Sequence, residues 1–328
     1  MDQQGTGRRL ITTVAVAALL TVPLAACGSE SDEDGDAPRA APATSEFPDP
    51  EGASLEDILA RYETSDLVVL PAAQVFTVGR NRLGFGVFTV DGEQVTDADV
   101  AMYAAPGSGG LARGPFPARV ESLETDPAFV SKSTAEDPDS AKVVYASEPR
   151  FSRPGEWRLV ALVRHEGELA ATRLPSVEID AADPIPGPGE KAPRVHTPTA
   201  DDVGDIGAID TRDPHSTLHE HDLADVVGSD PVVLLFATPA LCQSRVCGPV
   251  VDVAEQVGSD RGDDAAFIYS EVYEQNDPNE GLREPVREFN LPTEPWLFVI
   301  DGDGNVDTRI EGPFSVAELE DAVDRVTR

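Results

Sequence analysis

Lysine, cysteine, methionine and tryptophan are all scarce in these 328 residues. There are three Lys, three Cys, two Met counting the initiator, and two Trp. Arginine brings the basic total only to 25, against 60 acidic residues, for a formal net charge of −35. So few cations argue against a nucleic-acid role, because affinity for a phosphate backbone comes from clustered Lys and Arg. They argue equally against docking on anionic lipid through a basic face. With 40% hydrophobic residues the chain can still bury a real core. Its length suggests about two domains of roughly 100–200 residues each.

The N-terminus reads as an address. Arg8 and Arg9 precede an apolar run from Leu10 to Ala26, which ends in Leu24-Ala25-Ala26-Cys27-Gly28. A short apolar stretch closed by small residues is the pattern of a secretory signal, here residues 1–26. The Leu-Ala-Ala-Cys run resembles a bacterial lipobox, which implies lipidation of Cys27 and a membrane anchor facing the extracytoplasmic side. Residues 27–54 follow, acidic and then rich in Pro and Ala, with no large apolar side chain before Phe47. Such a composition cannot offset its ordering entropy, so a disordered tether is expected there.

With Cys27 assigned to the anchor, Cys242 and Cys247 remain as one pair in a compartment where disulfides persist. Residues 55–181 read as short strands separated by turn signals, among them Leu83–Val90, Val100–Ala104, Lys142–Ala146, Glu156–Val163 and Ala170–Ile179. This pattern predicts an antiparallel β-sandwich, with Trp157 as a core anchor and His165 in a hairpin turn. The run Arg153-Pro154-Gly155-Glu156-Trp157 resembles a corner of small Ig-like envelope domains. A Pro/Gly-rich linker over 181–199 then leads into residues 182–328, whose grammar is alternation. Val232–Phe236 reads as a buried strand, Pro249–Val257 as a helix closed by Gly258, and Ala265–Val272 as a strand. Gly281–Phe289 reads as a helix, Trp296–Ile300 and Val306–Ile310 as a hairpin, and Val316–Val326 as a helix opened by the capping box Ser315–Glu318. The order β-α-β-α-β-β-α predicts a mixed sheet with helices on both faces.

That order resembles the thioredoxin superfamily over residues 190–328. An apolar strand runs into a cysteine pair and a helix, and Thr293-Glu294-Pro295 stands immediately before the hairpin, where the family keeps its cis-proline. Gly189-Glu190-Lys191-Ala192-Pro193 resembles the lead-in of the TlpA and peroxiredoxin branches. The expected fold class is thus an all-β Ig-like sandwich followed by an α/β thioredoxin-like domain. The resemblance implies thiol–disulfide exchange through Cys242 and Cys247 with a protein thiol or disulfide partner, no added cofactor, and Pro295 lining the substrate groove.

The spacing is Cys-x4-Cys rather than Cys-x2-Cys. Two residues five apart on an α-helix have Cα atoms about 8–9 Å apart, whereas a disulfide needs roughly 4.4–6.8 Å. Cys242 must therefore precede the helix if the pair is to close. Pro249 and Gly248 place Cys247 at the helix N-terminus, where free N–H groups favour a thiolate and Arg245 adds positive charge. Either cysteine could be the nucleophile on these grounds. The strand Val232–Phe236 lacks the buried acid of thioredoxins, and Glu294 is either a substitute base or an exposed side chain. A static disulfide in a non-enzymatic envelope protein is the competing reading. A Sco-like copper carrier is weaker: His215, His219 and His221 form a cluster expected to be solvated, and the loop before the hairpin has no His. No metal ligand set is assigned. Peroxidase chemistry is weaker still, because no Pro-x3-Thr-x2-Cys run precedes either cysteine.

Overall fold

The computed structural model describes residues 38–107, 109–242 and 244–328. The signal peptide, Cys27 and the first part of the expected tether lie outside the described residues. Up to Asp180 there are two larger sheets, antiparallel except where Phe76–Thr77 pairs parallel with Val177–Asp180, and a two-stranded ribbon of Gly79–Arg80 with Arg150–Phe151; one mixed sheet forms from Val232 onward. The first has the strand order Val68–Pro71, Leu83–Phe88, Val143–Ser147, Arg119–Ser122. The second is built on Gly155–His165, flanked by Asp99–Pro106 and Val177–Asp180, with Glu168–Arg173 also paired to it.

Alternation explains how one strand serves two cores. Val100, Met102 and Ala104 face the first sheet with Leu83, Phe85 and Tyr145. Ala101, Tyr103 and Ala105 face the other way, onto Leu55 and Ile58 of the helix Leu55–Arg61. Successive side chains point to opposite faces of a strand, so a strand covered on both sides must be apolar throughout. Trp157 is fully buried, and its indole N–H donates to the Arg153 carbonyl at 3.0 Å. His165 ends its strand at the Glu166-Gly167 turn.

The expectation of a disordered tether over 27–54 does not hold for residues 38–54. Phe47 is buried, Arg39 pairs with Val120, and the Tyr103 hydroxyl donates to the Pro48 carbonyl at 2.6 Å. Phe47 fills the gap between the second sheet and the helix, and that burial offsets the ordering cost of a Pro-rich segment. The 181–199 linker is likewise pinned. Ile185 is buried, Arg309 reaches both its carbonyl and Asp183, and Gly189 N–H donates to Val306 at 2.8 Å.

In the mixed sheet the order is Ala266–Glu271, Val232–Ala237, Trp296–Ile300, Val306–Glu311. The first pair is parallel and the other two are antiparallel. Helices Cys247–Arg261 and Val316–Thr327 cover one face, while Leu223, Val286, Phe289 and Leu291 cover the other. The helix expected over Pro249–Val257 starts two residues earlier and runs through Gly258 to Arg261. Gly258 does not cap it: a Cβ there would lie 2.9 Å from Leu218 and 3.3 Å from Phe267, so the glycine permits close packing. The Ser315–Glu318 capping box forms as read.

Sandwich and mixed sheet belong to one compact unit. Glu318 accepts from Arg82 at 2.8 and 2.9 Å and also from Arg119. Ser315 donates to Glu121 at 2.7 Å, and Val75 N–H donates to Glu311 at 2.9 Å. Nearer the cysteines, Ser131 donates to Asp252, which also holds Arg212.

Candidate active site around Cys242 and Cys247

The strand Val232–Ala237 is buried along its whole length and delivers the chain to Thr238-Pro239 at the sheet edge. A turn closed by Leu241 N–H on the Thr238 carbonyl carries Cys242 ahead of the helix. Cys247 is the first helical residue. The geometric requirement that Cys242 precede the helix is met, and both cysteines are free thiols in this structure.

Their environments differ sharply. Cys247 has no exposure, whereas Cys242 is half-buried and opens toward solvent. Cys242 is pulled from an ordinary 9.0 down to about 6. The hydrogen bond from the Cys247 thiol contributes most; the Ser244 hydroxyl, 3.3 Å away, and the N–H groups of Cys247 and Val246 add to it against the cost of burial. Burial, and then the bond to Cys242 and its charge, push Cys247 well up. A thiolate at a helix N-terminus accepts N–H groups that have no partner inside the helix. The sequence left both assignments open; here Cys242 is the thiolate and Cys247 the protonated neighbour.

The opposite wall is the loop before the hairpin. The Glu294–Pro295 bond is cis, and Pro295 is buried. Trp296 Nε1 donates to Thr293 at 2.9 Å, Thr293 donates to Glu311 at 2.7 Å, and Gly312 N–H holds the Pro295 carbonyl at 2.9 Å. Glu294 is only partly exposed. Burial first, and then the Cys242 charge, raise its carboxyl above the usual range. Its charge in turn helps keep Cys247 protonated.

Arg245 departs from expectation. Its guanidinium is drawn to Asp137, at 3.0 Å, and to Asp139, both from the sandwich half, and its carbonyl accepts from Ala141 N–H. Its guanidinium is turned to these two carboxylates, so it anchors the cysteine loop on the sandwich half. The histidines do not join the cysteines either. His219 is buried against Tyr269, with Nε2 3.4 Å from Asp210, because Tyr269 N–H pairs with the Leu218 carbonyl and draws the segment onto the sheet. Among the described residues no group of three or more His, Cys, Asp or Glu is arranged to hold a metal.

Two contributors escaped the sequence reading. Ser244 carries no signal beyond standing two residues after Cys242. Glu271 ends the strand beside the cysteine strand, buried, accepting from Thr211 and from Tyr269 at 2.5 Å; burial raises its carboxyl. Glu271 is thus a buried acid on the neighbouring strand, held by Thr211 and Tyr269 rather than by either cysteine.

Strand order, strand directions and a cysteine pair at the end of the central strand make this half thioredoxin-like in fold. No family model and no curated protein matches the chain. It is similar to two solved structures from Chlorobium tepidum. One is assigned as a thiol:disulfide interchange protein DsbE, at 17% identity, covering 44% of this chain and 99% of that one, with a TM-score of 0.30. The other is a thiol:disulfide interchange protein of the thioredoxin family, at 20% identity, covering 45% and 100%, with a TM-score of 0.29.

Proposed function

We propose that this is a lipid-anchored extracytoplasmic protein that exchanges thiols and disulfides with protein partners through Cys242 and Cys247. The observation that carries the reading is the polarised pair: an accessible sulfur held as thiolate beside a buried, protonated one. The Cys242 thiolate attacks a partner disulfide, one partner sulfur leaves as thiolate and takes a proton, and a mixed disulfide forms. Cys247 then loses its proton and attacks the Cys242 sulfur. The Cys242–Cys247 disulfide closes, and the second partner sulfur leaves. Two electrons pass to the partner, and a dithiol donor returns the pair to its reduced form; the reverse sequence oxidises a partner dithiol. Glu294, electrostatically coupled to both sulfurs, is the group placed to take the Cys247 proton. Pro295 lines the groove for the partner backbone. Cys27 carries the lipid, and the N-terminal half is an Ig-like sandwich domain that the anchor holds at the membrane.

The test is the reduction potential of the pair in the mature ectodomain, equilibrated against glutathione and dithiothreitol. A value within about −120 to −270 mV, the span of working exchange proteins, is expected. A value below about −300 mV, or no exchange without denaturant, means a static bond and overturns the reading.

A further inference from the structure

Beside the cysteine loop lies an apolar groove of about 470 Å³. Leu70, Phe88 and Val144 of the first sheet form one side of it, and Ser244, Arg245 and Val246 form the other. Leu70 is 49% exposed although its neighbour Val69 is core. The Phe88 ring lies across Gly86, where a Cβ would come within 2.4 Å of it. The missing side chain at 86 is what lets the ring lie flat along the groove. Ser244 belongs to this wall and is also 3.3 Å from the Cys242 sulfur, so one side chain separates the groove from the reactive atom. Its rim is acidic: Asp91 is exposed, and Asp139 shares the single Arg245 with Asp137.

We infer that this groove binds the extended segment of a client protein that flanks the client's cysteine, taking one apolar side chain against Leu70 and Phe88 and a Lys or Arg at the rim. The inference rests on the exchange reading and deepens it, because it gives the sandwich the task of choosing the client. Charge decides among occupants. A second copy of this chain brings a net charge of −35, and its own tether brings the acidic run of residues 30–36; both are repelled by the rim.

Two synthetic peptides test this, each with one cysteine held as a mixed disulfide with glutathione. One carries Leu and Lys after the cysteine, the other Ser and Asp. The reduced ectodomain should reduce the first with a kcat/KM about tenfold higher; tenfold is 1.4 kcal/mol, what burying part of a Leu side chain supplies. In Leu70→Asp the ratio of Leu-Lys peptide to glutathione disulfide turnover should fall about tenfold. Asp91→Lys, at an exposed position, should reverse a Lys-over-Asp preference between peptides that share the Leu. Equal rates for the two peptides, or unchanged ratios in the variants, overturn the groove. Calorimetry with Ser in place of the peptide cysteine reads binding without chemistry. Preferential binding that Leu70→Asp removes upholds the groove even if exchange fails; no binding preference overturns it. A concentration-dependent dimer that Leu70→Asp abolishes assigns the groove to a second copy and also overturns the inference.

Discussion

Removing the Cys247 thiol is the sharpest perturbation of the polarised pair, because its hydrogen bond is the largest contribution holding Cys242 near 6. At pH 7 a thiol of pKa 6 is about 90% ionised and one of pKa 9 about 1%. Intrinsic nucleophilicity falls with pKa, by about twentyfold over that interval at a Brønsted coefficient of 0.4–0.5. The net gain in alkylation rate at pH 7 is thus only about fivefold, so a single-pH rate is a poor witness. The midpoint of the rate against pH is the right observable. Iodoacetamide labelling of the reduced ectodomain, with the modified residue located by mass spectrometry, should give a Cys242 midpoint near 6 and almost no labelling of buried Cys247. A hydrogen bond to a charged acceptor contributes about 1.5 kcal/mol or more, and each pH unit is 1.36 kcal/mol, so Cys247→Ala should raise the midpoint by about one unit. Ser244→Ala should raise it by less. A wild-type midpoint at the value of a free thiol, or one unmoved in Cys247→Ala, refutes the assignment of Cys242 as thiolate.

Stability should follow the same group. A thiol whose folded pKa lies below its unfolded value stabilises the fold above the unfolded value, near 9, and loses that contribution as pH falls through about 6. The difference in urea midpoint between reduced wild type and Cys242→Ser should therefore shrink between pH 9 and pH 6. Glu318→Ala takes from Arg82 its carboxylate partner and from Arg119 one of its partners, and opens the last helix's cap; chemical denaturation should show a loss of about 3 kcal/mol or more. Gly312→Ala should cost about 2 kcal/mol or more by the same measurement, because φ is +84° and a Cβ would stand 2.5 Å from the Ala72 carbonyl oxygen. Glu294→Gln should shift the Cys247 ionisation midpoint downward in a Cys242→Ser background, read from the thiolate's ultraviolet absorbance against pH; an unmoved midpoint removes Glu294 from the site.

Legibility followed periodicity and caps. The hairpin Trp296–Ile300 with Val306–Glu311 and the capped final helix were readable because turn chemistry and apolar runs agree there. Strand Arg113–Pro117 was not, since Pro115 and Pro117 hide an edge strand, and Val68–Pro71 sits at the end of its sheet with two exposed apolar side chains. The span read as Ala170–Ile179 breaks at Leu174-Pro175, where a proline withdraws its donor. At the site, the placement of Cys242 ahead of the helix and the cis bond before Pro295 follow from spacing and order. Which sulfur ionises does not, because that depends on which one the fold buries. Arg245 misled for a related reason: its proximity in sequence was real, but the nearest carboxylates came from residues more than a hundred positions away.

Glu318 sets a constraint on how this chain can change over time. Its two oxygens accept from the Ser315 N–H that opens the last helix, from Arg82 and from Arg119, so three requirements converge on one side chain. Loss of this one carboxylate therefore disturbs two guanidiniums of the sandwich and the start of a helix at once. The thioredoxin-like half is therefore not a portable cassette: cut away from the sandwich, it would lose both guanidiniums that face Glu318 and lay the start of its last helix open to water.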